Sequence, residues 1–193
     1  LSDYARKHPG DAAEKKLPVI SSACPAALRL IRIRFPQLLE HITSTITPME
    51  LAAILARKKA VEETGLLPEQ IGVFAIVPCS AQVTAAHSPD DLQQPVLDGA
   101  FSIRDLYLRL LSPMQKLDAP HTPSSAGKAG VRWAFCGGEA SARGSSERFL
   151  AVDGMDSVIR ILAAIEDDRV PDVDFVELCA CTQGCVGGCL TVE

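Results

Sequence analysis

Four of the chain's seven cysteines crowd into one glycine-rich stretch, Cys179-Ala180-Cys181-Thr182-Gln183-Gly184-Cys185-Val186-Gly187-Gly188-Cys189. A single buried cysteine is usually inert core. A segment that alternates thiols with glycines is poorly suited to a core. Its glycines free the backbone to wrap something compact, and they let amide N–H groups come close to sulfur. The remaining cysteines, Cys24, Cys79 and Cys136, are scattered singly along the chain. Seven is odd, and residues 1–20 mix charge with proline where an export signal would be apolar. A paired disulfide framework is therefore not expected. The expectation is a cytoplasmic chain whose thiols bind metal or do redox chemistry.

Short apolar runs alternate with helix-period segments. Leu17–Ile20 reads as a buried strand, and Ala26–Phe35 as a helix with Leu28, Ile31 and Phe35 on one face and Pro25 in its first turn. Thr47-Pro48-Met49-Glu50 carries a capping-box signature, and Gly65 is a natural stop for the helix it opens. Ile71–Val77 reads as a second buried strand. Ser102 and Asp105 open a further helix, with Ile103, Leu106, Tyr107, Leu110 and Leu111 on one face and Pro113 as its end. Residues 112–130 are expected to be a flexible loop, and residues 1–16 a tail or helix remnant. Val131–Phe135 reads as a third strand, Met155–Ile165 as a helix and Val173–Leu178 as a fourth strand. This order predicts an α/β fold with parallel strands. Each of the four strands would run into a cysteine at its C-terminal end, which is where open α/β sheets bind ligands.

Composition narrows the function classes. Nineteen Lys and Arg stand against 24 Asp and Glu, a net charge of −5, and aromatics make up 5%. A nucleic-acid binder needs a basic face or stacking aromatics, so none is expected. No apolar run approaches the ~20 residues of a membrane span. The 193 residues suit one domain or two small lobes. With Leu1 first and Glu193 just beyond the cysteine cluster, the chain is expected to be a piece of a longer protein.

A [4Fe–4S] cluster takes four thiolates. A Cys₄ zinc site is the rival, since the Cys181–Cys185 spacing permits a zinc hook. A resemblance favours the cluster. Ser22-Ala23-Cys24-Pro25 resembles the Ser-Cys-Cys-Pro motif of the catalytic domain of [FeFe]-hydrogenases. Val77-Pro78-Cys79-Ser80-Ala81-Gln82 resembles its Met-Pro-Cys-Thr-Ala-Lys motif. Glu177-Leu178-Cys179-Ala180-Cys181 through Gly184-Cys185-Val186-Gly187-Gly188 resembles its Glu-x-Met-Ala-Cys-x-x-Gly-Cys-x-Gly-Gly motif. The order of the three motifs also agrees, and the likeness runs from about Leu17 to Glu193.

The resemblance implies a truncated, two-lobed iron-only hydrogenase-like domain over residues 17–193. It implies cubane ligands Cys24, Cys79, Cys181 and Cys185, with Cys185 bridging to a diiron subcluster where one is inserted. It implies ferredoxin-like modules or another redox partner in the same full-length chain. The departures are specific. The proton-relay cysteine of the family is Ala23, and the lysine that anchors a cyanide of the diiron unit is Gln82. Alanine carries no proton, and glutamine brings no charge. The two methionines are Val77 and Cys179. This pattern is similar to the sensory or uncharacterised branch of the family. Redox or hydrogen sensing or electron transfer is thus expected, with an active hydrogenase as the alternative and a zinc or thiol-switch module as the third reading.

Three further groups are candidates. Cys179 would share a face with Cys181 if the strand geometry continued, which makes it a spare ligand or a near-cluster thiol. Gly137 and Gly138 precede a helix at Glu139 and could offer N–H donors to an anionic ligand. Arg29, Arg32 and Arg34 form a basic patch near Cys24, read either as a solvated face or as a docking face for an acidic module. His8, His41, His87 and His121 are expected at the surface or at caps.

Overall fold

Five strands form two parallel sheets in the computed structural model, which describes residues 16–87, 95–117, 126–144, 148–170 and 172–192. The chain divides into two compact units: Leu1–Thr45 with Ser124–Gly188, and Ile46–Pro123 with Cys189–Glu193. The expected tail falls almost wholly outside the described residues, as do His8 and His121.

In the first unit β1 (Val19–Ile20), β5 (Phe175–Cys179) and β4 (Phe149–Asp153) lie side by side in the order β1-β5-β4, all parallel. Val19 pairs with Phe175, and Asp153 with Cys179. β5 is therefore the central strand, and Phe175, Val176 and Leu178 are fully buried, as an apolar run predicts. Helix α1 (Pro25–Arg34) starts on Pro25 and buries Ala27 and Ile31. Helix α7 (Met155–Glu166) buries Val158, Leu162 and Ile165, the stripe its period predicts. These side chains form one core with Ile20, Phe35 and Leu38.

In the second unit β2 (Phe74–Val77) and β3 (Gly99–Ser102) pair in parallel, with Phe74 opposite Gly99. Helix α2 (Pro48–Thr64) opens with the full capping box of Thr47 and Glu50 and ends on Gly65 in the left-handed region. Helix α3 (Ser80–His87) follows β2. Ala53, Ala86 and Leu97 make the small core of this unit. Arg57 ties it together, donating to the carbonyls of Pro68, Ile71 and Val96 and to the Asp98 carboxylate.

Several expectations need correction. Residues 131–135 are not a strand. Val131 and Arg132 end the short helix α5 (Lys128–Arg132), and Phe135 makes only a single antiparallel bridge to Gly184. The reason is local: the N–H groups of Val131, Trp133 and Phe135 bond back to Gly127, Gly130 and Arg132 and are not available to a ladder. Hence three of the expected strands, not four, lead into a cysteine. Pro113 does not end helix α4, which spans Ile103–Gln115 behind a Ser102 cap. Proline loses only its own N–H bond, and the last turn closes through Lys116 and Leu117 donating to Pro113 and Met114. Residues 112–115 are thus helix, 118–125 lie outside the described residues, and 128–130 begin α5. The expected 71–77 strand is the shorter 74–77 and is not buried throughout: Phe74 and Ile76 are more than half exposed, while Val77 is buried. The apolar stripe of α4 is likewise unburied. His41 is buried, its Nδ1 2.9 Å from the Pro18 carbonyl, while His87 stays exposed near the end of α3. Strands β3 and β4 were not expected.

Candidate metal centre

The C-terminal ends of β1 and β5 lead into the loops that carry most of the thiols of the first unit. After β1, Ser21 turns the chain and its Oγ accepts the N–H of Ala23 at 3.1 Å. Cys24 then stands at the N-cap of α1. After β5 the chain bends at once, so the strand alternation that would align Cys179 with Cys181 does not continue. Residues 181–188 form a tight loop strapped to the segment before α6 (Gly138–Arg143). Cys136 N–H donates to the Gln183 carbonyl at 3.1 Å, and Val186 N–H to the Ala134 carbonyl at 3.3 Å. The Asp153 carboxylate at the end of β4 accepts the Gln183 N–H.

Two glycines are required by close approach. A Cβ on Gly184, whose φ is +86°, would lie 2.5 Å from the Cys136 amide nitrogen. A Cβ on Gly187 would lie 2.1 Å from the Thr182 carbonyl oxygen. Both contacts are with backbone, which cannot swing away. Gly184→Ala is expected to lift the loop off residues 134–136. Proteolysis of the native protein should then show new cleavage between 180 and 188, and an unchanged digest would contradict the strapping.

The thiols differ in character. Cys189 is exposed and the other six cysteines are half-buried. Burial, the Glu177 carboxylate and the neighbouring Cys136, Cys24 and Cys185 push the Cys179 thiol far up. Its Sγ lies 3.7 Å from Glu177 Oε1. Burial, then Glu177 and Asp153, also push Cys136 up, against a hydrogen bond with Cys179. Cys24, Cys181 and Cys185 sit half-buried on the loops. Among the described residues no three His, Cys, Asp or Glu side chains converge tightly enough for one metal ion.

The second unit holds the other two cysteines. Cys79 immediately precedes α3, and Gln82 lies in that helix's first turn. Cys189 Sγ is 3.9 Å from Ser80 Oγ, and the Ser80 N–H draws its thiol down. Leu190 is tied to this unit through Pro78 and Arg104.

Two carboxylates that sequence reasoning passed over organise the first unit. Glu177 is 4% exposed in the middle of the central strand. Its oxygens accept the N–H groups of Gly137 at 3.0 Å and Ala140 at 2.8 Å. Gly138 N–H bonds to Phe135 O. The anion met by this Gly-Gly turn is therefore the chain's own Glu177. Glu139 accepts the Ser21 hydroxyl at 2.5 Å. Burial pushes its carboxyl up, Ser21 and Arg143 oppose that, and Glu177 reinforces it. The available signal was a lone charge inside the buried run of β5.

The model of the family described as "Iron only hydrogenase large subunit, C-terminal domain" matches residues 3–110 and 134–189. The chain belongs to that family. "NADP-reducing hydrogenase subunit HndD" of Solidesulfovibrio fructosivorans is 23% identical over 230 aligned positions, covering 96% of this chain and 39% of that protein. "Cytosolic Fe-S cluster assembly factor NAR1" of Mycosarcoma maydis is 30% identical over 94 residues, covering 46% of this chain and 11% of that protein. The fold agrees with solved hydrogenases. An [FeFe]-hydrogenase structure concerned with oxygen damage to the H-cluster gives a TM-score of 0.70 at 16% identity, covering 98% of this chain and 64% of its own. A variant of HydA1 from Chlamydomonas reinhardtii gives 0.68 at 16% identity, covering 92% and 62%. The chain thus spans less than two thirds of each of these proteins.

As a member of the iron-only hydrogenase C-terminal family, the chain has a donor set that fits a cluster. Half-buried thiols occupy the loops after β1 and β5, and the glycine loop is free of side chains where it doubles back. Position 23 offers a methyl group and position 82 an uncharged amide. Among the described residues no helix is long and apolar enough to cross a membrane.

Proposed function

We propose that this domain holds a [4Fe–4S] cluster through Cys24, Cys79, Cys181 and Cys185 and serves electron transfer or redox sensing, not efficient H₂ turnover. One observation carries the reading: the four cysteines that the resemblance makes cubane ligands are all kept, while the relay and anchor positions have become Ala23 and Gln82. A bound cluster would supply a one-electron couple whose potential follows burial and N–H donors to sulfur. The chain's own part is positional. Glu177 fixes the start of α6, α6 fixes Ser21 through Glu139, and Ser21 fixes the turn before Cys24. The 181–188 loop keeps Cys181 and Cys185 in place by its backbone bonds to 134–136.

The reading extends to a cytoplasmic setting and to ferredoxin-like modules elsewhere in the full-length protein. HndD, a hydrogenase subunit that this chain aligns with over 96% of its residues, supports the second point. A role in cluster assembly is the second reading, favoured by the NAR1 likeness and its name.

Anaerobic reconstitution of the full-length protein with ferrous iron and sulfide tests the proposal. About four irons and four acid-labile sulfides per chain are expected. Zinc bound in preference to iron, with no sulfide taken up, would overturn it in favour of a zinc module.

A further inference from the structure

Glu139 is unusual on physical grounds. It is a carboxylic acid placed at the start of α6, turned inward, and bonded to a serine of a different element at 2.5 Å. That serine is the residue that shapes the turn before Cys24, since Ser21 Oγ also accepts the Ala23 N–H at 3.1 Å. A neutral side chain would satisfy Ser21 without the cost of a partly buried charge. The ionisable group therefore invites a role that uses its ionisation.

The surroundings show what that ionisation would sense. β5 faces Glu139 with Glu177, and its own helix contributes Arg143. Cys179 lies beside Glu177 at 3.7 Å on the same strand. Asp153 on β4 is engaged with the Gln183 N–H. Lys128 and Arg132 on α5 stand at an exposed helix. Arg143 works against both burial and Glu177. The route toward the thiols is short. One hydrogen bond joins Glu139 to Ser21, and a second reaches the backbone one residue before Cys24.

We propose that Glu139, held by Ser21 beside the turn that carries Cys24, takes up a proton when a cluster bound in this site is reduced, so that electron transfer here is coupled to pH. The inference rests on the cluster reading above. Its balance is one electron from a ferredoxin-type donor to the cluster and one proton from solvent to a Glu139 oxygen. Only an O–H bond forms. The sign follows from Coulomb's law: an added negative charge nearby favours the neutral carboxyl. Because burial has already moved Glu139 upward, the pH window lies above the ordinary carboxylate range. Within it the midpoint potential falls as pH rises; beyond its upper end the coupling is lost. This assigns Glu139 as a positioning and proton-holding residue, acting through Ser21 and the local field.

The test is a spectroelectrochemical titration of the reconstituted full-length protein across pH, on wild type, Glu139→Gln and Glu139→Asp. Wild type should show a pH-dependent potential, Glu139→Gln a flat one at matched iron content, and Glu139→Asp a restored slope with a displaced window. Infrared difference spectra of the wild type should show a carboxylic-acid C=O band rising on reduction. That measurement decides the matter even if Glu139→Gln does not fold. An unchanged slope in Glu139→Gln, or a wild type with its cluster in place but no carboxyl band, overturns the inference and leaves the cluster reading standing. Failure to take up iron and sulfide at all overturns both.

Discussion

Cys181→Ser strips iron from the reconstituted protein, and Cys179→Ser does not. That is the expected outcome of comparing two cysteines only two residues apart. Cys179 ends the central strand, is partly buried, and its thiol donates toward the Glu177 carboxylate. Cys181 lies past the end of the strand, on the loop that also carries Cys185. A soft iron–sulfur site wants thiolate, and serine is a poor substitute for it. Loss of Cys181 should therefore cost more than the ~10–100-fold in metal affinity typical of outer-shell changes, while loss of Cys179 should stay within that range. Iron and acid-labile sulfide are measured after desalting, together with the EPR signal of the reduced protein. Equal losses from both variants would show that the third motif has been aligned in the wrong register. The reverse order would make Cys179 the ligand.

Local signals carried far into this fold, and tertiary ones did not. Thr47-Pro48-Met49-Glu50 and Gly65 marked both ends of α2, because capping is settled within one turn of chain. The stripe of α7 and the apolar run of β5 were legible for the same reason: their periods reflect the surfaces they bury. The segment 131–135 misled, since its apolar and aromatic composition suits a strand while its amides are satisfied three or four residues back. β3 and β4 were passed over, although neither is shorter than β2. The apolar face of α4 was correctly read as amphipathic, yet no described element buries it.

The candidate site divides in the same way. The cysteines could be singled out one by one. Their allotment to two units, with Cys79 in the second and Cys24, Cys181 and Cys185 in the first, could not be. Gly137 and Gly138 were expected as amide donors for an anion; Gly137 meets one, and Gly138 donates to the Phe135 carbonyl instead. That the anion is Glu177, 40 residues further along, is a contact only the fold reveals. Glu139 and Ser21, 118 residues apart, escaped for the same reason.

The reconstituted full-length protein is expected to give little or no H₂. Turnover needs a proton passed to the reacting metal through titratable or hydroxylic groups within hydrogen-bond reach. At position 23 the side chain is a methyl group, and the backbone N–H beside it is already spent on Ser21. Ser21 and Glu139 supply a proton-holding pair, but it ends at that amide. At position 82 an uncharged amide stands where the family's lysine makes a charge-assisted hydrogen bond, which is roughly twice as strong as a neutral one. A general acid or base typically contributes ~10²–10⁴-fold in rate, so loss of the relay alone reduces turnover to a trace. The measurement is a gas-chromatographic assay with reduced methyl viologen under strict anaerobiosis. It compares the unmodified protein, Ala23→Cys, and the Ala23→Cys/Gln82→Lys double variant. Robust H₂ from the unmodified protein would defeat the electron-transfer and sensing reading and restore a working hydrogenase. Activity confined to the double variant would mean that the site still accepts a diiron unit and lacks only its proton and anchoring groups. Inactivity of all three, with iron and sulfide fully loaded, is the outcome expected of a domain whose retained chemistry is that of the cluster alone.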